Sequence, residues 1–172
     1  MGIAGRAIGG ATLGLVAMAV ITTGHPVPAG AQTSYNLDFC KRVEPRPGVG
    51  LVTRQCGTTF TTADAYVGLV AQLYNVQDSM TVALELHDPE QALVWRAGEA
   101  IQVRAGYYYP VYTLWTVLPV AADEAALAAE HPRLASQRIR IEGRPARERL
   151  GEWTLGLRMN NGPPLTRKFT LR

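Results

Sequence analysis

After Cys56 the chain alternates apolar and polar residues with a period of two. In residues 81–87 (Thr-Val-Ala-Leu-Glu-Leu-His), Val82, Leu84 and Leu86 fall on one parity and Thr81, Glu85 and His87 on the other. That spacing predicts a strand with one face in a core. Residues 152–159 repeat the pattern, with Trp153, Leu155, Leu157 and Met159 in phase, and residues 165–172 supply Phe169 and Leu171 as the facing set. The Asn-Asn-Gly-Pro-Pro stretch between them reads as a turn. Residues 137–142 place Ile139 and Ile141 inward, with Arg138 and Arg140 outward.

Shorter strands are predicted at 57–62, 92–96 and 100–104, the last two on either side of Gly98. Residues 65–77 are apolar on both parities, as in a strand covered on both faces or one that bends at Gly68. Residues 107–117 form another long strand. Pro110 removes a ladder donor there, so the strand lies at an edge or is bulged. One helix is predicted at 121–130, Ala-rich with acids in its first turn and stopped by His131-Pro132. About eight strands and one short helix predict an all-β protein, an antiparallel β-sandwich. A closed barrel is the nearest alternative, and an α/β fold would need more crossover helices.

The N-terminus changes the picture. Arg6 is the only charged residue before Asp38, residues 7–22 are apolar, and His25-Pro26-Val27-Pro28 leads to Ala29-Gly30-Ala31. This is the order of a secretory signal peptide cut after Ala31. An apolar run of about 16 residues is short for a bilayer span, so no stable membrane span is expected after cleavage. The expected organisation is a leader at 1–31, a disulfide-pinned segment at 32–56 and a sandwich at 57–172, in the periplasm or secreted.

The chain has 172 residues, two of them Cys. Outside the cytoplasm Cys40 and Cys56 are expected to be oxidised. The bridge would close a loop of about 17 residues and contribute about 3 kcal/mol. Pro45, Pro47, Gly48 and Gly50 give that loop no regular structure of its own. Residues 32–132 hold 6 basic and 11 acidic side chains, and residues 133–172 hold 10 and 3. Such a basic tail suits an anionic polymer or acidic partner, or the solvated faces of strands. The overall balance is too mild for nucleic acid.

The closing Gly-Glu-Trp-Thr-Leu-Gly-Leu-Arg, Asn-Asn-Gly and Arg-Lys-Phe-Thr-Leu-Arg of residues 151–172 resemble the last hairpin of immunoglobulin-like domains in bacterial exported proteins. Phe60 with Asp64-Ala65-Tyr66-Val67, and Leu86 with Asp88-Pro89-Glu90, are similar to the opening strands of such domains. These are packing motifs. They imply the fold and a non-catalytic role, and they carry no functional residues with them. The family has Gly after the Asp-Pro turn; this chain has Glu90-Gln91.

Candidate chemistry is sparse. His87 and Asp88 are strand neighbours and point apart, so they make no base–orienter pair. His131 stands at a helix end. No serine lies in a Gly-x-Ser-x-Gly elbow. Two His and two bridged Cys cannot close a zinc site, and the sequence implies no metal and no cofactor. The aromatic run Tyr107-Tyr108-Tyr109-Pro110-Val111-Tyr112 remains. By strand parity Tyr108 and Tyr112 would share the face away from the core, where they could bind a ligand or partner. Arg138 and Arg140 are the accompanying basic candidates. The expected function is a non-catalytic exported module that binds a secreted or envelope protein or an anionic polymer. The alternatives are a structural subunit of an envelope complex, with an open strand edge near Pro110, and a hydrolase whose site carries no motif.

Overall fold

The computed structural model describes residues 16–20, 32–47, 50–122, 124–130, 134 and 136–172. The proposed cleavage point at Ala31, as well as His131, lies outside them. The strands are β1 (Val16–Val20), β2 (Ser34–Arg46), β3 (Gly50–Cys56), β4 (Thr59–Phe60), β5 (Tyr66–Val76), β6 (Met80–His87), β7 (Leu93–Ile101), β8 (Tyr109–Pro119), β9 (Gly151–Met159) and β10 (Leu165–Leu171). One helix, α1 (Glu124–Glu130), and a 3₁₀ turn at Ala146–Glu148 interrupt them.

Two five-stranded sheets result, ordered β1-β8-β5-β2-β3 and β4-β10-β9-β6-β7. Every pairing is antiparallel except the short parallel contact of β4 with β10 and an isolated bridge at Val117 and Arg138. β5 and β8 pair in one sheet, while β6, β9 and β10 follow one another in the other, with β7 beyond β6. This is the immunoglobulin-like strand order. The alternation accounts for the packing. Val82, Leu84, Leu86, Trp153, Leu155, Leu157, Phe169 and Leu171 are buried against Leu37, Phe39, Leu69, Leu73 and Leu114 of the facing sheet.

Three sequence expectations are corrected. The segment between Cys40 and Cys56 is not irregular: β2 and β3 form a hairpin with Cys40 paired to Cys56, and β2 also pairs with β5. Pro45, Pro47 and Gly50 fall toward the hairpin's tip, where a missing donor or a positive φ is tolerated. The two short strands around Gly98 are one strand, because Gly98 stays in register opposite Ala83. Residues 137–142 are not a strand. They make only two backbone bonds with the end of β8, Val117 N–H to Gln137 O at 3.2 Å and Ile139 N–H to Val117 O at 2.8 Å. Ile139 is nonetheless buried.

The outer face of the first sheet is not solvated, in line with the two-face covering expected for residues 65–77. A second apolar cluster covers it, with Val43, Tyr66, Val70, Trp115 and Val117 meeting Leu127 of α1 and Leu134. This explains the two-parity apolar run of β5. Gly68 pairs with Cys40 of β2, and a Cβ there would lie 2.5 Å from Val43 Cγ1. Pro110 falls opposite Asn75, which takes φ 56°, so the β5–β8 ladder skips that pair.

The Cys40–Cys56 disulfide is formed, with the Cα atoms 3.9 Å apart. Replacing both cysteines by Ala is expected to lower the unfolding free energy by about 3 kcal/mol, measured by urea titration. A loss below about 1 kcal/mol would show that the β2–β3 ladder alone fixes the hairpin.

Candidate functional site

The β7–β8 connection folds back on itself and opens a cleft of about 400 Å³ lined by Gln102, Val103, Arg104, Tyr107, Tyr108 and Tyr109. Local chemistry holds it. Tyr107 N–H donates to Arg104 O at 3.0 Å, and Gly106 takes the φ of 81° that the turn requires. Val103 N–H donates to Ser79 Oγ at 2.9 Å, tying the cleft floor to the β5–β6 turn. Tyr109 donates its hydroxyl to Gln102 O at 3.0 Å, and its ring meets Tyr112 edge-on at 5.2 Å. The cleft therefore has a fixed wall, Tyr109, and a more accessible one, since Tyr107 is 46% exposed and Tyr108 half-buried.

The predicted pair of exposed tyrosines does not form. Tyr108 precedes the strand and lines the cleft, whereas Tyr112 is only 8% exposed and belongs to the main core. Strand parity was sound, but the faces were inverted: the even positions Tyr112, Leu114 and Leu118 look between the sheets. Tyr112 donates its hydroxyl to Glu99 across the sandwich. Burial, then that carboxylate, push its ionisation well above the ordinary tyrosine value.

Arg138 is half-buried and Arg140 exposed. Arg138 bridges to Val117, eight residues along β8 from Tyr109, or about 26 Å at strand rise. These arginines and the tyrosine cleft are separate places. Sequence reasoning missed Gln102, Arg104, Tyr107 and Tyr109 as one group. The signal was present in the run of three tyrosines after Gly106, had that run been read as a turn.

Part of the basic tail pairs with the acidic segment of the same molecule. Arg144 pairs with Glu90 at 2.8 Å, Arg149 with Asp88 at 2.7 Å, Arg158 with Glu85 at 3.1 Å and Arg167 with Asp38 at 2.9 Å. Each joins the basic segment to the acidic one that precedes it. Two further depressions on the surface, one beside Arg96 and Arg158 and one beside Asp88 and Arg149, are built around such pairs. Asp88 also accepts from Glu90 N–H at 3.0 Å and Ala92 N–H at 2.9 Å. In that turn Gln91 takes φ 63°, the left-handed conformation that glycine adopts without strain. Arg104 in the cleft has no ion-pair partner among the described residues.

Fold and cleft together define an immunoglobulin-like β-sandwich with an aromatic-lined pocket at one end. No family model matches the chain, and no curated protein matches it. Among solved structures, an immunoglobulin-like protein of Pseudomonas aeruginosa aligns with 13% identity over 84% of this chain and 100% of its own, at a TM-score of 0.38. A β-glucosidase of Listeria innocua aligns with 9% identity over 81% of this chain and 16% of its own, at 0.36. The sandwich assignment rests on this chain's own strand order. No helix among the described residues is long and apolar enough to cross a membrane. No group of three or more His, Cys, Asp or Glu among them could hold a metal ion.

Proposed function

We propose that the protein is an exported, non-catalytic binding module that recognises a protein partner or envelope polymer through the β7–β8 cleft. The observation that carries this reading is the grouping of Tyr107, Tyr108 and Tyr109 around one opening with Arg104, which has no ion-pair partner among the described residues. Tyrosine rings offer a flat apolar face with a polar tip, suited to a sugar ring or a partner's side chain. An arginine at the rim supplies charge-assisted donors to a carboxylate or phosphate. The N-terminal leader and the formed disulfide support export to an oxidising compartment.

The test is capture by the immobilised exported chain from two separate preparations, envelope proteins and purified envelope polysaccharide. Replacing both Tyr107 and Tyr108 by Ser is expected to weaken retention at least about tenfold, at roughly 1 kcal/mol per ring. The thermal midpoint should stay within about 3 °C of the original, since neither ring belongs to a core cluster. Retention unaffected by the double substitution would move the binding site elsewhere.

A further inference from the structure

The first sheet has an unusual edge. Its outermost strand, β1, is Val16–Val20, part of the apolar run read above as the leader's hydrophobic stretch. It pairs antiparallel with β8 over five positions, from Val16 opposite Trp115 to Val20 opposite Val111. It also approaches β3 at the far side of the curled sheet. The residues it covers are the middle of β8, which include Tyr112 and Leu114 of the main core and Trp115 of the second cluster. If the chain is cut after Ala31, this strand departs with the leader. The outer N–H and C=O groups of residues 111–115 then lose their partners, beside some of the most apolar sequence in the chain.

We propose that the outer edge of β8 is a strand-accepting surface, occupied in cis by residues 16–20 before cleavage and open afterwards to an extended apolar segment of another protein. This inference rests on the leader being removed. The chemistry of the occupant is written in the strand that the edge already accepts, Val-Ala-Met-Ala-Val. It is uncharged and extended, and it runs antiparallel to β8. Small residues stand opposite the core positions Tyr112 and Leu114, and larger ones opposite Val111 and Trp115. Main-chain ladder bonds supply affinity in this mode of recognition, and the alternate side chains supply selectivity. The edge is not blunted as free edges usually are. Its two prolines, Pro110 and Pro119, lie on either side of the accepting stretch at 111–115, and no charged residue occurs between Tyr107 and Val120.

The test uses two forms of the protein. The exported form is first sequenced from its N-terminus; a start at Gln32 establishes the cut. A synthetic peptide of residues 14–22 is then added, and hydrogen exchange is followed at the amides of residues 111–115. Saturable slowing of those amides, abolished when Met18 and Ala19 of the peptide are both replaced by Pro, is the expected result. No slowing in a chain shown to be cut overturns the proposal. So does a cut chain that sediments as a dimer with those amides already protected, because the occupant is then a second copy. An exported chain still carrying residue 1 overturns the leader reading instead. The acceptor edge is then decided in the full chain, where Met18→Pro with Ala19→Pro must speed exchange at 111–115 by about tenfold or more; unchanged exchange overturns it.

Discussion

Phe169→Ala is expected to lower the unfolding free energy by about 4 kcal/mol and the thermal midpoint by about 10 °C. Phe169 is 1% exposed and is the point at which the two sheets lock. Its ring lies 4.8 Å from Phe39 of β2, 5.7 Å from Phe60 of β4 and 6.0 Å from Trp153 of β9. Truncation removes the burial of one large ring and leaves a void among three others, which cannot all collapse inward from fixed strands. Urea unfolding followed by circular dichroism measures it. A loss under about 1.5 kcal/mol would mean that the neighbouring rings repack, and that no single residue joins the sheets.

Arg149→Met should cost a similar amount by a different route. Arg149 and Asp88 are an almost buried pair, with side chains 13% and 3% exposed. The guanidinium also donates to Arg144 O at 3.0 Å and Glu142 O at 2.9 Å, and the Arg149 carbonyl accepts from Trp153 Nε1 at 3.0 Å. One side chain thus ties the loop before β9 to the turn after β6. Methionine keeps the stem but leaves a carboxylate without its counter-charge, a loss of about 3–5 kcal/mol. Pairing it with Asp88→Asn should recover part of that.

The pH dependence carries a sign. Burial by itself pushes the Asp88 carboxyl up, but hydrogen bonds from Ala92, Arg149 and Glu90 outweigh it and hold the group below the ordinary carboxylate value. Its contribution is therefore complete above the unfolded value near 4 and is lost as pH falls through the lower folded value. Arg149→Met should shallow this acid limb, seen as a smaller drop in midpoint between pH 5 and about pH 3. An unchanged limb would assign the acid sensitivity to other carboxylates, such as Asp64 beside Lys41, which is also held low.

The sandwich was legible because half-buried strands announce themselves by parity, as in β6, β9 and β10. That residues 65–77 are covered on both faces was legible, but the residues that do the covering were not. The second cluster over β8 is assembled from Leu127, Leu134 and Val43, residues far apart in sequence whose meeting no local period encodes. That cluster is why Tyr112 was placed on the wrong side of its strand. The segment at 137–142 has the alternation of a strand, yet it meets β8 only near its end, at Val117, so only an isolated bridge forms. The cleft was half legible: Tyr108 was singled out, but its companions depend on where the β7–β8 turn falls, and turn boundaries leave a weaker mark than strand interiors.

The order of the second sheet has a consequence for biogenesis. β9 and β10 occupy its interior, between β6 and β4, yet they follow every other strand in the chain. A nascent polypeptide that has made only the earlier strands holds an incomplete core, with β6 paired to β7 alone and β4 without its neighbour. Collapse to the finished domain must wait until these late strands are supplied. A protein built in this order completes its second sheet only when its synthesis is almost done, which is compatible with the export proposed above.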